Sequence, residues 1–513
     1  MDKKNLKLFI ESDVLLLLTK LSNFLTEQDI KSYVVGGFVR DVLLEKDTAD
    51  IDIAVVADAL EIAPRIATAL GGKYVLLDRI NGIGRVILAS NGGISTQGQW
   101  NLDFSTVKGS IEQDLARRDF TIDAIAIELG QLGQDGTDVQ LIDSFNGWDD
   151  LRQGVIRAVT ENAFESDALR LLRAVRLAVE LGFSIEKKTE VLIQRYSYLI
   201  ASVAGERVRE ELLRLLTIPQ TGRLLPYLDK LGLITAMMPE MAQAKGVEQP
   251  KEHFWNVFDH SLKTVTAVDF VLRQEAWPGD PGFSNEKYTS EEILATVPWS
   301  PELVQHFGLE VSSGSTRRLL LKLAALLHDV AKPQTKAIDA RGRMRFLGHT
   351  EEGAAVTATI LERLRFSTKE IKQVETMVKY HLRPVQMSHN GLPSNKAIYR
   401  YFRDAGEAGI DIIFLSLADH LAARGPQLNM TQWQEHTQMV DYMLTQHFEQ
   451  EALVAFPKLI DGHDLINIFG MSPGPRIGEF LEQVRETQAS GELVTKEEAI
   501  SYIREHLSLT GGR

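Results

Sequence analysis

The hydrophobic periodicity of this chain changes once, near residue 162, and that change limits the folds open to it. Before it, apolar residues alternate or fall in short runs, as in strands; after it they recur at helical spacing. Tyr33-Val34-Val35 is a short run that stops at Gly36-Gly37, and Asp50-Ile51-Asp52-Ile53-Ala54-Val55-Val56 alternates and then turns apolar, as a half-buried strand does. Asp58 is placed to cap a helix over 59–70 that ends at Gly71-Gly72, with Pro64 marking a kink or its true start. Residues 74–77, 85–88 and 102–104 predict further strands, and 164–181, 187–199 and 206–216 predict helices with one apolar face. The fold class is therefore α+β: a mixed sheet with helices, followed by an all-helical remainder.

At 513 residues the chain exceeds one ordinary core, so two to four domains are expected. Polar residues 243–251 and the Pro-, Gly- and Ser-rich stretch 277–315 interrupt the pattern; the second predicts a loop with one short helix near 291–295, after which helices run from Arg317 to the end. Glu11 and Asp13 break the apolar N-terminal stretch, which predicts an amphipathic helix and no export signal, and no apolar run is long enough to span a bilayer. The expectation is a cytoplasmic protein without a membrane partner. Cysteine is absent, which excludes disulfides, thiolate zinc sites and cysteine nucleophiles, so any metal must be held by His, Asp or Glu. A formal net charge of −14 does not favour nucleic acid, but a local basic face suffices for phosphate contacts, and arginine is dense between Arg152 and Arg223.

Gly36-Gly37 follows a strand and opens a helix. Two glycines allow the backbone close to a triphosphate, and the helix start offers amide donors and a positive dipole end. Taken alone, the pair reads better as a tight turn. Asp50 and Asp52, alternate residues on a strand, project to one face, and Asp103 supplies a third strand carboxylate. Like charges held together require neutralisation, which a hard cation such as Mg2+ provides. Three carboxylates and two metals suit in-line nucleotidyl transfer: one metal acidifies an attacking 3′-hydroxyl, the other bridges the triphosphate and stabilises the leaving pyrophosphate.

From Val35 to Asp41 and on to Asp50-Ile51-Asp52, the chain resembles the catalytic motif of the class II tRNA nucleotidyltransferase and bacterial poly(A) polymerase family, of the DNA polymerase beta-like superfamily. The resemblance continues in order. Asp114 to Ala124, containing Arg117-Arg118-Asp119-Phe120-Thr121-Ile122-Asp123, is similar to the ribose-binding motif. Asp143 to Leu151, running to Ile156-Arg157, resembles the hinge between head and neck. Ser166 to Arg176 resembles the nucleobase-selecting motif, and Glu206 to Leu212 the helix that braces it. The resemblance implies a head over 1–145, a helical neck over 146–245, a metal-binding HD domain over 246–450 with a loop insertion near 275–315, and a helical tail over 451–513. It implies catalysis by Asp50, Asp52 and Asp103, with Asp50 and Asp52 holding Mg2+. Nucleotide binding falls to Gly36, Gly37, Arg40, Arg118, Asp119, Asp167, Arg170 and Arg173. Asp167 and Arg170, three apart on one predicted helix face, suit the polar edge of cytosine or adenine, although such a pair is also an ordinary surface ion pair.

Three departures bear on specificity. Ser166 stands where the family's base-selecting motif has Glu, with Glu165 one residue earlier. Asp123 stands where the ribose motif has Asn and adds negative charge. The segment from Asp103 to Ile111 is short where CCA-adding members carry a longer flexible loop that CC-adding relatives lack, so a CC-adding bias is expected.

Asp259-His260, His328-Asp329, His349, His381 and Asp419 recur in the order of the HD phosphohydrolase superfamily. The resemblance implies His260, His328, Asp329 and Asp419 as ligands, with His349 and His381 completing a two-metal variety, for a divalent ion such as Mn2+, Ni2+ or Mg2+. Lys332 is placed to hold a phosphate. Gly474-Pro475, in a segment similar to the tail of HD-bearing members, opens a helix toward an RNA phosphate or simply caps it. The expected function is a tRNA nucleotidyltransferase that adds C, and A in the broader family, from CTP and ATP to the tRNA 3′ end, with an HD phosphohydrolase side activity. The alternatives are a poly(A) polymerase, an RNA-binding protein with an inactive head, and a signalling or RNA-end hydrolase in which HD chemistry is the main activity.

Overall fold

A computed structural model describes residues 5–8, 10–89, 99–132, 138–219, 221–273, 288–312, 314–387, 391–452, 458–489 and 491–510. The chain forms two compact units, Met1–Val203 with Leu231–Ala236, and Ala204–Lys230 with Met237–Arg513. No helix among the described residues is long and apolar enough to cross a membrane.

The first unit is built on an eight-stranded sheet: β1 (Asn5–Lys7), β2 (Ser32–Val35), β3 (Asp50–Val55), β4 (Lys73–Asp78), β5 (Ile83–Ala89), β6 (Gln99–Thr106), β7 (Ala126–Glu128) and β8 (Asp138–Ile142), in the order β1-β8-β7-β2-β3-β6-β5-β4. β3 and β6 run parallel, with Asp52 opposite Asp103 and Asp50 opposite Asn101, and the β5–β6 pairing sets Arg85 across from Asp103. The parallel pair needs a crossover. The helix Ala59–Leu70 and the β4–β5 hairpin supply it.

Alternation along β3 decides what each face carries. Ile51, Ile53 and Val55 join Leu18, Leu21 and Leu25 of the helix Ser12–Thr26, and Ile62 and Ile66 of the crossover helix, in one apolar core. Each such side chain contributes roughly 1.5–3 kcal/mol by leaving water. Ala54 packs on the opposite side with Tyr33, Val35, Ala124 and Ala126. Asp50 and Asp52 share the parity of Ala54 and so project from that second face.

Several sequence expectations change. Pro64 lies inside the helix Ala59–Leu70, with Asp58 accepting from Leu60 N and Gly71 closing it at φ +70°. The sheet gains β1, β7 and β8, which the apolar pattern did not single out. The helix expected over 164–181 is broken: Ala163–Ser166 ends at Asp167, which is extended at φ −153° and ψ 103°, and a new helix runs Arg170–Leu181. The reason is local. The Asp167 carboxylate accepts from Leu169 N at 3.1 Å, a side-chain bond that competes with helix continuation. In the stretch expected as loop, 277–287 lie outside the described residues; the remainder holds the helices Ser290–Leu294 and Pro301–Gly308 and the paired segments Glu310–Ser312 and Ser315–Thr316. The helical run after Arg317 is also interrupted, by a hairpin of Lys336–Ile338 and Met344–Phe346.

The second unit is otherwise helical. Val257–Val271 and Gly409–Arg424 are buried on nearly every side and pack on each other and on Arg317–Leu327; Gly409–Arg424 also meets Thr368–Tyr380, against which His349–Arg363 packs. Apolar residues all round make these two central core helices. The tail helices Gly462–Phe469, Pro475–Ala489 and Lys496–Thr510 close on their own cluster, including Leu465, Phe480, Val484 and Ile503.

Candidate active site and metal centre

The turn from β2 into the helix Gly36–Leu43 needs glycine for two reasons. Gly36 sits at φ +69°. A Cβ there would stand 2.5 Å from Arg118 Nη1 and 2.9 Å from Asp52 Oδ2, and one at Gly37 would stand 3.5 Å from Arg40 Nη2 and 3.8 Å from Asp52 Oδ2. The bend therefore rests directly on Asp52 and Arg118, which places the catalytic-motif acid and an arginine of the ribose-binding motif under one stretch of glycine backbone.

Asp52 is the most perturbed of the three strand acids. Burial pushes its carboxyl up to about 6; Arg118 opposes this, while Asp103, Asp123 and Asp50 add to it. The neighbours of Asp52 are pinned. Arg85 donates to Asp103 twice, Nε to Oδ1 and Nη2 to Oδ2, both at 2.7 Å. Asn101 Nδ2 donates to Asp50 Oδ1 at 2.9 Å. The carboxylates face one region while their oxygens stay apart: among the described residues, the groups of three metal-ligating side chains with atoms within 4.8 Å of one another lie in the second unit. A half-buried acid held up at about 6 by burial, with neighbouring carboxylates adding to it, is what a divalent cation would relieve, so the donor set fits Mg2+.

Arginines and acids alternate beside this region. Arg40 Nη1 pairs with Asp123 Oδ1 at 2.7 Å and Arg40 also grips Asp41, so its guanidinium is held by protein carboxylates. Asp123 is buried, its Oδ2 has no hydrogen-bond partner, and its carboxyl is raised by burial and by Asp119 against the pull of Arg40, Arg173 and Arg118. Asp119 pairs with Arg173 at 2.9 Å. Asp143 caps the helix Gly147–Gln153 through Gly147 N and Trp148 N, and Arg157 ties Asp150 to Glu186, so the hinge-like motif anchors the following helices.

Asp167 and Arg170 do not share a helix face, because the helix starts between them. Arg170 is fixed instead by three acceptors: Ala163 O at 3.1 Å, Ser166 Oγ at 3.0 Å and Arg117 O at 2.7 Å. Burial lowers its pKa despite Asp119 and Asp167 nearby. Ser166, the departure from Glu, thus takes the position of an acceptor for this guanidinium.

In the second unit the predicted metal residues converge. His260 Nε2 lies 3.1 Å from His328 Nε2 and 3.0 Å from Asp419 Oδ1; Asp329 Oδ2 is 3.2 Å from His328 Nε2; and Asp329 Oδ1 is 3.6 Å from His349 Nε2 and 3.8 Å from His381 Nε2. Nδ1 of His328, His349 and His381 meets the carbonyl of Ala325, Phe346 or Val378, which turns each Nε2 inward. Asp329 Oδ1 and His349 Nε2 are buried without hydrogen-bond partners. Burial holds His381 down at about 3 and lowers His260, keeping both neutral and available as ligands. Burial also disfavours the charge on His328, but Asp329 and Asp419 outweigh it and raise its pKa. Orphaned donor atoms arranged on either side of Asp329 fit one or two divalent ions.

Four further residues were not singled out in the sequence. Arg85 and Asn101 hold the strand acids, and only the strand register reveals them. His253 lies ring to ring with His260 at a 5.3 Å centroid separation, burial taking its pKa down to about 3, and Gln249 accepts from Lys332 Nζ at 2.7 Å. Lys332 itself pairs with Asp329 at 2.6 Å.

Known proteins match the chain along most of its length. Residues 32–157 match the poly A polymerase head domain, 182–245 the family described as "Probable RNA and SrmB- binding site of polymerase A", and 301–424 the HD domain. The chain is 31% identical over 485 residues to an A-adding tRNA nucleotidyltransferase of Deinococcus radiodurans, covering 93% of this chain and 96% of the relative. It is 30% identical over 500 residues to a CC-adding tRNA nucleotidyltransferase of Thermus thermophilus, covering 96% of each. In fold it is similar to a CCA-adding enzyme solved with ATP, at 23% identity and a TM-score of 0.64, covering 97% of this chain and 95% of that one.

Proposed function

The chain belongs to the tRNA nucleotidyltransferase family, and from that premise we propose that it is a CC-adding enzyme, extending the tRNA 3′ end with cytidylate from CTP. The observation that carries the CC preference is the connection after β6: only Val107, Lys108, Gly109 and Ser110 separate Thr106 from the helix Ile111–Leu115, so a longer flexible loop has no room there. Relatives named as CC-adding, at 30% and 29% identity over more than nine-tenths of the chain, support the reading; the A-adding relative at 31% supplies the competing outcome. These names also favour tRNA over the long products of a poly(A) polymerase.

In the proposed mechanism the RNA 3′-oxygen attacks the α-phosphorus of CTP, one phosphoester forms, and pyrophosphate leaves. Mg2+ bound by Asp50, Asp52 and Asp103 would supply acidification of the hydroxyl and charge neutralisation at the triphosphate. Arg85 and Asn101 orient the acids. Gly36 and Gly37 bring backbone amides to the triphosphate, Arg118 offers it a cation, and Asp119, steadied by Arg173, accepts from ribose hydroxyls. Arg40 acts through Asp123 and Asp41. Arg170 has five N–H donors and spends three on Ala163 O, Ser166 Oγ and Arg117 O, leaving two for the base edge. Asp167, whose Oδ1 accepts from Leu169 N, is the proposed acceptor for an exocyclic amine of the base.

The HD domain is proposed as a phosphoester hydrolase. His260, His328, Asp329 and Asp419, with His349 and His381, would hold the divalent metal, which supplies an acidified water nucleophile. Lys332 would steady the phosphate.

Purified protein incubated with tRNA ending at the discriminator base, CTP and ATP tests the reading. Two cytidylates and no terminal adenylate are expected; efficient AMP addition would reject it.

A further inference from the structure

Between Lys332 and His349 the chain leaves the helical body as a hairpin, Lys336–Ile338 paired with Met344–Phe346. Its second strand ends against the metal centre. The Phe346 carbonyl accepts from His349 Nδ1 at 2.6 Å, and Lys332, paired with Asp329, stands 5.6 Å from the Phe346 ring centroid.

The hairpin is basic in an acidic protein. Residues 336–347 contain Lys336, Arg341, Arg343 and Arg345 against Asp339 alone, four positive charges and one negative, where the whole chain is −14. Asp339 builds the turn: its Oδ1 accepts from Arg341 N and Arg343 N, both at 2.9 Å, and its Oδ2 from the Nε of Arg343 and Arg345 at 3.0 and 3.4 Å. Exposed pairs of this kind hold a guanidinium weakly, so phosphate competes with them readily. Apolar residues stand beside the cations without cover: Ile338 is 71% exposed and Leu347 83%. Cations for phosphates, beside uncovered aliphatic side chains that bases can pack against, suit a single strand of RNA.

We propose that this hairpin is an arm that binds the backbone of a single-stranded RNA end and delivers it to the HD centre, so that this centre acts on RNA ends rather than free nucleotides. The delivery half rests on the hydrolase reading above; the RNA-binding half does not.

The test compares the full-length protein with the triple variant Arg341→Gln, Arg343→Gln, Arg345→Gln, which leaves Asp339 and its backbone bonds in place. The probes are a 5′-labelled twelve-nucleotide single-stranded RNA ending in a 2′,3′-cyclic phosphate, and bis(p-nitrophenyl) phosphate with Mn2+. The variant is expected to show at least a tenfold rise in KM for the RNA and in its Kd. The slope of log Kd against log salt should fall by about 2, from three lost contacts at ~0.7 each. Hydrolysis of the small phosphodiester should stay unchanged. Unchanged RNA affinity and KM would overturn the proposal, as would equal losses on both substrates, which would assign the arginines to the fold. If the unmodified protein hydrolyses neither probe, the hydrolase reading fails by itself and the affinity and its salt slope still decide whether the hairpin holds RNA.

Discussion

Arg85 reaches across from β5 and closes on Asp103 of β6 with two hydrogen bonds of 2.7 Å, the fork of the guanidinium matched to both carboxylate oxygens. A strand acid that would otherwise turn freely is thereby aimed, and a positive charge is placed beside Asp50 and Asp52.

Replacing Arg85 with Gln should lower kcat for CMP addition by about 10–100-fold, the usual cost of losing a group that orients a metal ligand. The Kd for tRNA should not move. Steady-state kinetics with separate tRNA-binding measurements check this, and an unchanged kcat would show that Asp103 needs no orientation.

Asp52 makes stability depend on pH in a predictable direction. Its carboxyl stands at about 6 in the folded chain against 3.8 for an ordinary aspartate. Between those values the folded state keeps a proton that the unfolded chain has released. The stabilising contribution is fully present below 3.8 and is lost as the pH rises through 6, a swing on the order of 3 kcal/mol. Without Mg2+, Asp52→Asn should therefore gain stability relative to the parent at pH 7.5 and not at pH 4. Denaturant unfolding at both pH values checks it; a difference independent of pH contradicts the assignment.

Ser166→Ala removes one acceptor from the Arg170 guanidinium. A net loss of about 0.5–1.5 kcal/mol is expected from such a bond, which lowers kcat/KM for CTP roughly 2–13-fold. Arg170→Ala should cost more and blur the choice among CTP, UTP and ATP. Competition assays with the three nucleotides read both effects.

Exchanging Asp329 for Asn should strip divalent metal from the HD centre, because its oxygens face both histidine groups. Metal content by elemental analysis and hydrolysis of bis(p-nitrophenyl) phosphate should fall together, while CMP addition to tRNA persists. Retained metal would move the ligand role elsewhere.

The residues that meet at these sites were readable in the sequence because chemistry and period coincided there. Asp50 and Asp52 alternate on a strand, Gly36 occupies a bend at φ +69°, and His260, His328, His349 and His381 follow the order of the HD superfamily that they resemble. What escaped was whatever depends on partners distant in sequence or on side chains competing with the backbone. Arg85 and Asn101 show their roles only through the β5–β6 and β3–β6 registers. The break at Asp167 was hidden because helical spacing continues through residues 164–181 while one carboxylate bond to Leu169 N diverts the chain. The hairpin at Lys336–Phe346 is three residues to a strand, too short for any period to appear.

The measurement that bears most directly on the central claim is CMP incorporation into tRNA lacking its 3′ CCA by Asp52→Asn, alongside tRNA affinity and CTP affinity. Asp52 is the acid seated under the glycine bend, so incorporation should fall to background while tRNA binding is retained. Incorporation near the parental rate would mean that the carboxylates gathered at β3 and β6 do not drive nucleotide transfer.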